Sequence, residues 1–398
     1  MSRCETLGGA GEGALLYDRH EVFHRCLGQL AEARRIQLER RRHMDVKGRD
    51  RTGRAGIPWD SVRHATLIAL TVAAPLIVGI GTGHDSAGAA ATLGAYLWTI
   101  GHITNPHPIG VRMAGATALL MGVAGVAGAL AGRYLWVLLV VLPVWAALQA
   151  VTETAGTALR MPAAMAALCF LLSAIGGGAT AGGALWRGLL VLGGASWVAL
   201  GEMAFHRLWR SAAVGTRDLG LAELADAWPK SRGYALLLIL PTMLSAGVLG
   251  AFQISHGAWM ATTVLRVLRA DASVTIARSG RRIAGTSAGA LLAAVLLGSE
   301  RHAVTGVIVL AVCLSAMQIV GPKRYGVYTF FLTLLALDLT SVGQVASWHL
   351  ALTRVLLTLA GAALAVTSGL LYDRITRHKE DHAADPAGAL DQHPKSPA

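Results

Sequence analysis

Twelve mostly apolar windows recur along this chain, all but the eighth about 18 to 22 residues and long enough to cross a hydrocarbon layer of roughly 30 Å at about 1.5 Å per residue. They fall near 61–80, 86–103, 112–131, 134–152, 162–179, 184–205, 233–252, 257–270, 283–299, 302–320, 325–343 and 348–371, the eighth being cut short by Arg266 and Arg269. Lipid offers no partner to a backbone amide, so a spanning segment must be a helix or a strand of a closed barrel, and these windows are far longer than strands. The expected class is all-α, a polytopic membrane protein of about 12 transmembrane helices. With 54% hydrophobic and 15% charged residues and a mean hydropathy of +0.51, the 398 residues do not have the composition of soluble domains.

The cations test the frame. With both termini inside, 31 of the 35 Lys and Arg fall on the inner side, and Arg133, Arg187, Arg301 and Arg354 on the outer. A shift by one window destroys that asymmetry, so the positive-inside rule favours two cytoplasmic termini in a multi-pass inner-membrane protein. The net charge of +12 then reflects topology and contact with anionic lipid heads, and no nucleic-acid partner is expected. Cys4 and Cys26 lie in the inner N-terminal segment and Cys169 and Cys313 inside windows, with no CxxC, so structural disulfides are not expected. The first 55 residues lack the apolar core of a cleavable signal, which leaves the first window as an uncleaved one.

In chain order, 1–60 is a basic juxtamembrane segment with a helix expected from about Leu15 to Met44. It contains a literal HExxH, His20 to His24, whose spacing could place two ligands on one helical face. No folded core or third ligand accompanies it, and His378 with His382 is equally isolated, so no metal site is expected. A first six-helix repeat covers 61–205, a cytoplasmic linker 206–232, a second six-helix repeat 233–372, and a disordered tail 373–398. The repeat is legible in Arg112-Met-Ala-Gly against Arg282-Ile-Ala-Gly, in Arg187-Gly-Leu-Leu against Arg354-Val-Leu-Leu, and in Gln149 against Gln318. Six spans per repeat is even, so the two should be parallel, related by an axis along the membrane normal.

The residues from His256 to Gly289 run from an apolar helix, through a basic turn, into a helix of small residues. His256, Trp259, Asp271, Thr275, Arg278, Arg282, Gly285, Thr286 and Gly289 stand at the spacing of a signature that resembles the FUSC and aromatic-acid-exporter family of bacterial membrane proteins, with Ala270 where that pattern has Pro. The resemblance implies an efflux protein for aromatic or other organic carboxylate anions. It also implies His256 and Trp259 as substrate contacts, the latter as a stacking surface.

Several residues bear on that chemistry. Arg112 and Arg282, as repeat mates, would set two guanidinium groups about one axis, and a guanidinium presents a planar fork to a carboxylate. Arg187 and Arg354 are a second pair of mates. Asp338, the one Asp well inside a window, is a proton-coupling candidate and is expected to pair with Arg354 across the last hairpin. The bland readings stand beside these: positive-inside anchoring for the Arg cluster, interface belts for most Trp, and close helix packing for the Gly-rich third and ninth windows. No Walker or dinucleotide motif occurs, and no catalytic residue, cofactor or enzymatic activity is expected. A passive organic-anion channel and a non-transporting membrane scaffold are the alternatives, and association into a homo-oligomer is compatible with all three.

Overall fold

The computed structural model describes residues 59–104, 110–156, 158–175, 178–209, 221–251, 258–297, 303–340 and 348–384. Among them the chain forms twelve α-helices and no strand. In chain order these are α1 (Trp59–Gly81), α2 (Asp85–Thr104), α3 (Val111–Ala131), α4 (Leu135–Ala155), α5 (Arg160–Ile175), α6 (Ala181–Trp209), α7 (Leu221–Ala251), α8 (Ala258–Val267), α9 (Ala272–Leu297), α10 (Ala303–Val320), α11 (Tyr325–Thr340) and α12 (Trp348–Ala384). Each expected window holds one helix. The protein is an all-α polytopic membrane protein.

The helices are not equal. By length and composition six are able to cross a membrane alone, namely α1, α3, α4, α6, α7 and α12, while α10 and α11 form a pair bent by 101° around the short turn Pro322–Arg324. The expectation of twelve full spans is corrected on this point. The 16 residues of α5 and the 10 residues of α8 are too few for an unaided crossing. Two boundaries also move. The polar segment after 220 belongs to α7, which runs through Pro229, and α12 continues to Ala384, so the tail expected to be disordered from 373 is helical over its first part. The HExxH segment lies outside the described residues.

Packing recurs between the halves. α3 lies against α5 and α6 as α9 lies against α11 and α12, α2 against α6 as α8 against α12, and α4 against α5 as α10 against α11. That correspondence is one of packing order between the two halves. In the second half Gly285 and Gly289 permit the tightest of these approaches, since a Cβ at Gly285 would overlap Gly326 O and Thr329 Oγ1 and one at Gly289 would stand 2.5 Å from Phe330 O.

The halves are joined mainly through α4 on α7 and α5 on α8. Gln149 Nε2 donates to Leu265 O at 3.2 Å, crossing from α4 to α8. One turn further along α4, Glu153 collects three partners: Arg160 Nη2 at 2.9 Å, Arg269 Nε at 3.3 Å and the Tyr234 hydroxyl, donating at 3.1 Å. This knot ties the ends of α4, α5 and α8 to the middle of α7 at one level.

Candidate functional site

A cavity of about 420 Å³ lies among α2, α5 and α6 of the first half and α8, α9, α11 and α12 of the second. α2 supplies a continuous stripe to its wall, Ser86, Ala89, Ala90, Leu93, Tyr96, Leu97 and Ile100, at the helical spacing of three and four. Leu168, Leu172 and Ser173 enter from α5, and Leu332, Ala336 and Leu339 from α11. The lining runs from exposed Ser86 at the start of α2 to Arg266 near the end of α8, past the buried Tyr96, Trp259 and Arg282.

Four guanidinium groups border this largely apolar chamber: Arg187, Arg266, Arg282 and Arg354. None of the lining residues is Asp or Glu. Arg354 is only 3% exposed, and its Cζ lies 4.6 Å from the centroid of the Trp259 ring. Arg282, 2% exposed, directs Nη1 to the Tyr325 hydroxyl at 3.4 Å, and Arg187 Nη1 reaches Ser173 O at 3.4 Å. Arg282 Nε and Arg354 Nε and Nη1 are buried with no hydrogen-bond partner among the described residues. A cleft with apolar walls and one sign of charge focuses its field and draws the opposite charge. The arrangement can therefore hold an anion, with flat apolar or aromatic surface beside it.

The motif residues account for how the cations reach the chamber. Asp271 caps α9, its Oδ1 accepting the amides of Ser273 at 2.7 Å and Val274 at 3.4 Å. A hydrogen bond from the Ser273 side chain, followed by these amide bonds, holds the exposed Asp271 carboxyl below its usual range. The Thr275 hydroxyl accepts from the Arg269 amide at 2.9 Å and donates to Asp271 O at 3.0 Å, which closes the α8–α9 turn. Arg278 lies over the Tyr325 ring at 5.3 Å, and Thr286 meets Thr333 across the α9–α11 contact at 3.3 Å. Asp271, Thr275, Arg278, Gly285, Thr286 and Gly289 are thus builders of the hairpin that aims Arg266 and Arg282 inward. They do not line the chamber themselves.

Of the six expected substrate contacts, Arg187, Arg282, Arg354 and Trp259 line the chamber and His256 lies outside the described residues. Arg112 is elsewhere. It is exposed in the first turn of α3, whereas its mate Arg282 is the eleventh residue of α9. The cause is a shifted break: α2 runs on to Thr104, but α8 stops at Val267 and α9 starts early, so the same sequence motif falls at a helix end in one half and deep within a helix in the other. Asp338 is fully buried, but on a face of α11 other than that of Leu332, Ala336 and Leu339, and the expected Asp338–Arg354 pair gives way to the stack of Arg354 on Trp259. Arg266 and Tyr96 carry no site role by motif. Arg266 belongs to a visible basic cluster, and Tyr96 is legible only once α2 is seen to be amphipathic toward a cavity. Among the described residues no group of three or more His, Cys, Asp and Glu could hold a metal ion.

Residues 234–368 match the family described as fusaric acid resistance protein-like, which marks the chain as a membrane protein related to transport. The matched region holds most of α7, all of α8 to α11 and the first part of α12, including Trp259, Arg266, Arg282 and Arg354. Over 138 residues, 33% of this chain, the sequence is 28% identical to the uncharacterized protein slr1298 of Synechocystis sp., of which that stretch spans 18%. No solved structure matches.

Proposed function

We propose that this chain is an inner-membrane exporter of organic anions, aromatic carboxylates foremost, with both termini in the cytoplasm. The observation that carries it is the chamber between the halves, with four Arg, Trp259 and no acidic residue in its lining. Carboxylate oxygens suit the guanidinium forks of Arg282 and Arg354, and an aromatic ring suits the apolar wall built by Leu93, Leu97, Leu168 and Leu332. In this orientation the Ser86 end of the chamber is the outer one. The knot around Glu153, at the inner end, is then a tie that an alternating-access cycle has to loosen, which favours a transporter over a passive channel. Driving force agrees in sign, since a monovalent anion leaving a negative interior gains about 2.3 kcal/mol per 100 mV.

The test is transport by the purified protein in liposomes, with a panel of labelled benzoate, phthalate and aliphatic carboxylates. Saturable movement that prefers the aromatic anions, and that falls with Arg282→Gln, supports the reading. Currents reversing at the anion's equilibrium potential, with no accumulation under any gradient, would replace it by the channel. No movement of any anion would end it.

A further inference from the structure

On the face of α2 turned away from the chamber, Ala91, Gly94, Trp98 and His102 stand at helical spacing toward α6, where Glu202 lies. Glu202 is 8% exposed and His102 24%. Trp98 Nε1 donates to Glu202 Oε2 at 3.0 Å, and His102 Nδ1 stands 3.5 Å from the same oxygen. Glu202 Oε1 is buried, with no hydrogen-bond partner among the described residues. A carboxylate held in so apolar a joint, facing a half-buried imidazole, is a costly way to fasten two helices, and intramembrane ionisable groups of this kind mark proton paths.

We propose that Glu202 and His102 form a proton-binding site, which holds one proton in each cycle and reports its state to the anion chamber through α2. Without that proton the pair carries a net charge of −1. With it, either as imidazolium and carboxylate or as imidazole and carboxylic acid, the pair is neutral. The proton is exchanged with water through His102, and no covalent bond to carbon is made or broken. Other ionisable groups stand on the helices packed around the joint. From α1, His64 stacks on Phe205 with ring centroids 4.7 Å apart, Arg63 of the same helix is exposed, and Arg112, the charged residue of α3, is exposed as well.

The link to the anion is α2 itself. Its opposite face carries Tyr96, Leu97 and Ile100 into the chamber, and α6 carries Arg187 there as well as Glu202. The two helices touch at backbone level, Gly94 on Val191 and Gly194 on Ala91. A change of charge at Glu202 that alters how α2 seats on α6 must therefore move two walls of the chamber together. Among the described residues the second half has no such pair. The part of α2 that bears Trp98 and His102 corresponds to the turn after α8, where that helix has already stopped.

This inference rests on the proposed anion transport and is tested apart from it. Protein in liposomes is given labelled phthalate and a pH difference of one unit, with the membrane potential clamped at zero by potassium and valinomycin. Exchange of one proton for one anion accumulates phthalate about tenfold on the acidic side. Passive leakage of the protonated acid accumulates it on the alkaline side, so the sign separates the two. Glu202→Gln should abolish the acid-side accumulation while phthalate–phthalate exchange persists, and that exchange also reports that the variant has folded. Trp98→Phe, which removes the hydrogen bond but keeps the carboxylate, should retain the pH response. His102→Gln should slow it. Wild-type protein that exchanges phthalate but ignores the pH difference overturns the proposal, as does a Glu202→Gln variant that responds like wild type. Absence of any transport by the wild type fails the anion reading itself.

Discussion

Arg354 of α12 lies over the Trp259 ring of α8, guanidinium carbon to ring centroid 4.6 Å, with both side chains buried at the wall of one chamber. A cation over an indole face is worth about 0.5–2 kcal/mol, more where water is excluded. Trp259→Ala should therefore weaken anion binding about 3- to 30-fold, by letting Arg354 leave its position. Trp259→Phe should lose less. Titration calorimetry with phthalate on the detergent-solubilised protein measures both.

The same stack decides the fate of Asp338. If Arg354 is held by Trp259 and not by an ion pair with Asp338, the effects of Asp338→Asn and Arg354→Gln should add. The expected coupling in a double-mutant cycle is within about 0.5 kcal/mol of zero. A double variant that recovers what the single ones lose would restore the ion pair instead.

Arg282 and Arg112 separate function from anchoring. A hydrogen bond to a charged group contributes about 1.5–3 kcal/mol, so Arg282→Gln should raise the anion KM or Kd about 10- to 150-fold. Arg112→Gln, at an exposed helix start, should leave it within about twofold. Transport assays at matched protein content in the membrane distinguish the two.

Gly285 and Gly289 should resist any added side chain. A Cβ at Gly285 meets backbone and side-chain oxygen on α11, so Gly285→Ala should cost about 1–3 kcal/mol or separate the helices. Gly115 has nothing within 4 Å of its Cβ position, and Gly115→Ala should be neutral or slightly stabilising. Thermal unfolding in detergent shows the contrast.

Asp271 predicts a pH effect of definite sign. Its carboxyl titrates below the usual range in the folded protein, so the cap is fully present above the ordinary carboxylate pKa and is lost as pH falls through the depressed folded value. Being fully exposed, it should contribute modestly and less at high salt. Asp271→Asn, which still caps, should flatten the acid limb of the stability profile near the α8–α9 turn, as read by hydrogen exchange of Ser273 and Val274.

Much of this architecture was legible because lipid imposes a simple rule on length and polarity, and each apolar window did hold one helix. What the windows could not convey is which helices are clothed by others. α5 has the polarity of a spanning helix but lacks the length, α8 lacks both, and only packing explains them. Aligning the halves makes mates of Arg187 and Arg354, the seventh residues of α6 and α12, and both line the chamber. It failed for Arg112 because a helix break moves without disturbing the residues that align. Glu202 was missed altogether. Its partners are 100 and 104 positions away, on a helix whose apolar face hides them.

α8 also constrains how the chain can be made. At about 1.5 Å per residue, its 10 residues reach about 15 Å, half of a bilayer's core, and the helix ends in Arg266. Left by itself in an insertion channel it has neither the length nor the hydrophobicity to partition into lipid. Its shelter comes from α5 and α7, made earlier, and from α12, made last. A nascent chain halted before Trp348 therefore leaves α8 half clad, so commitment of the second half to the membrane waits for the final helix, and truncated products become ready substrates for membrane proteolysis.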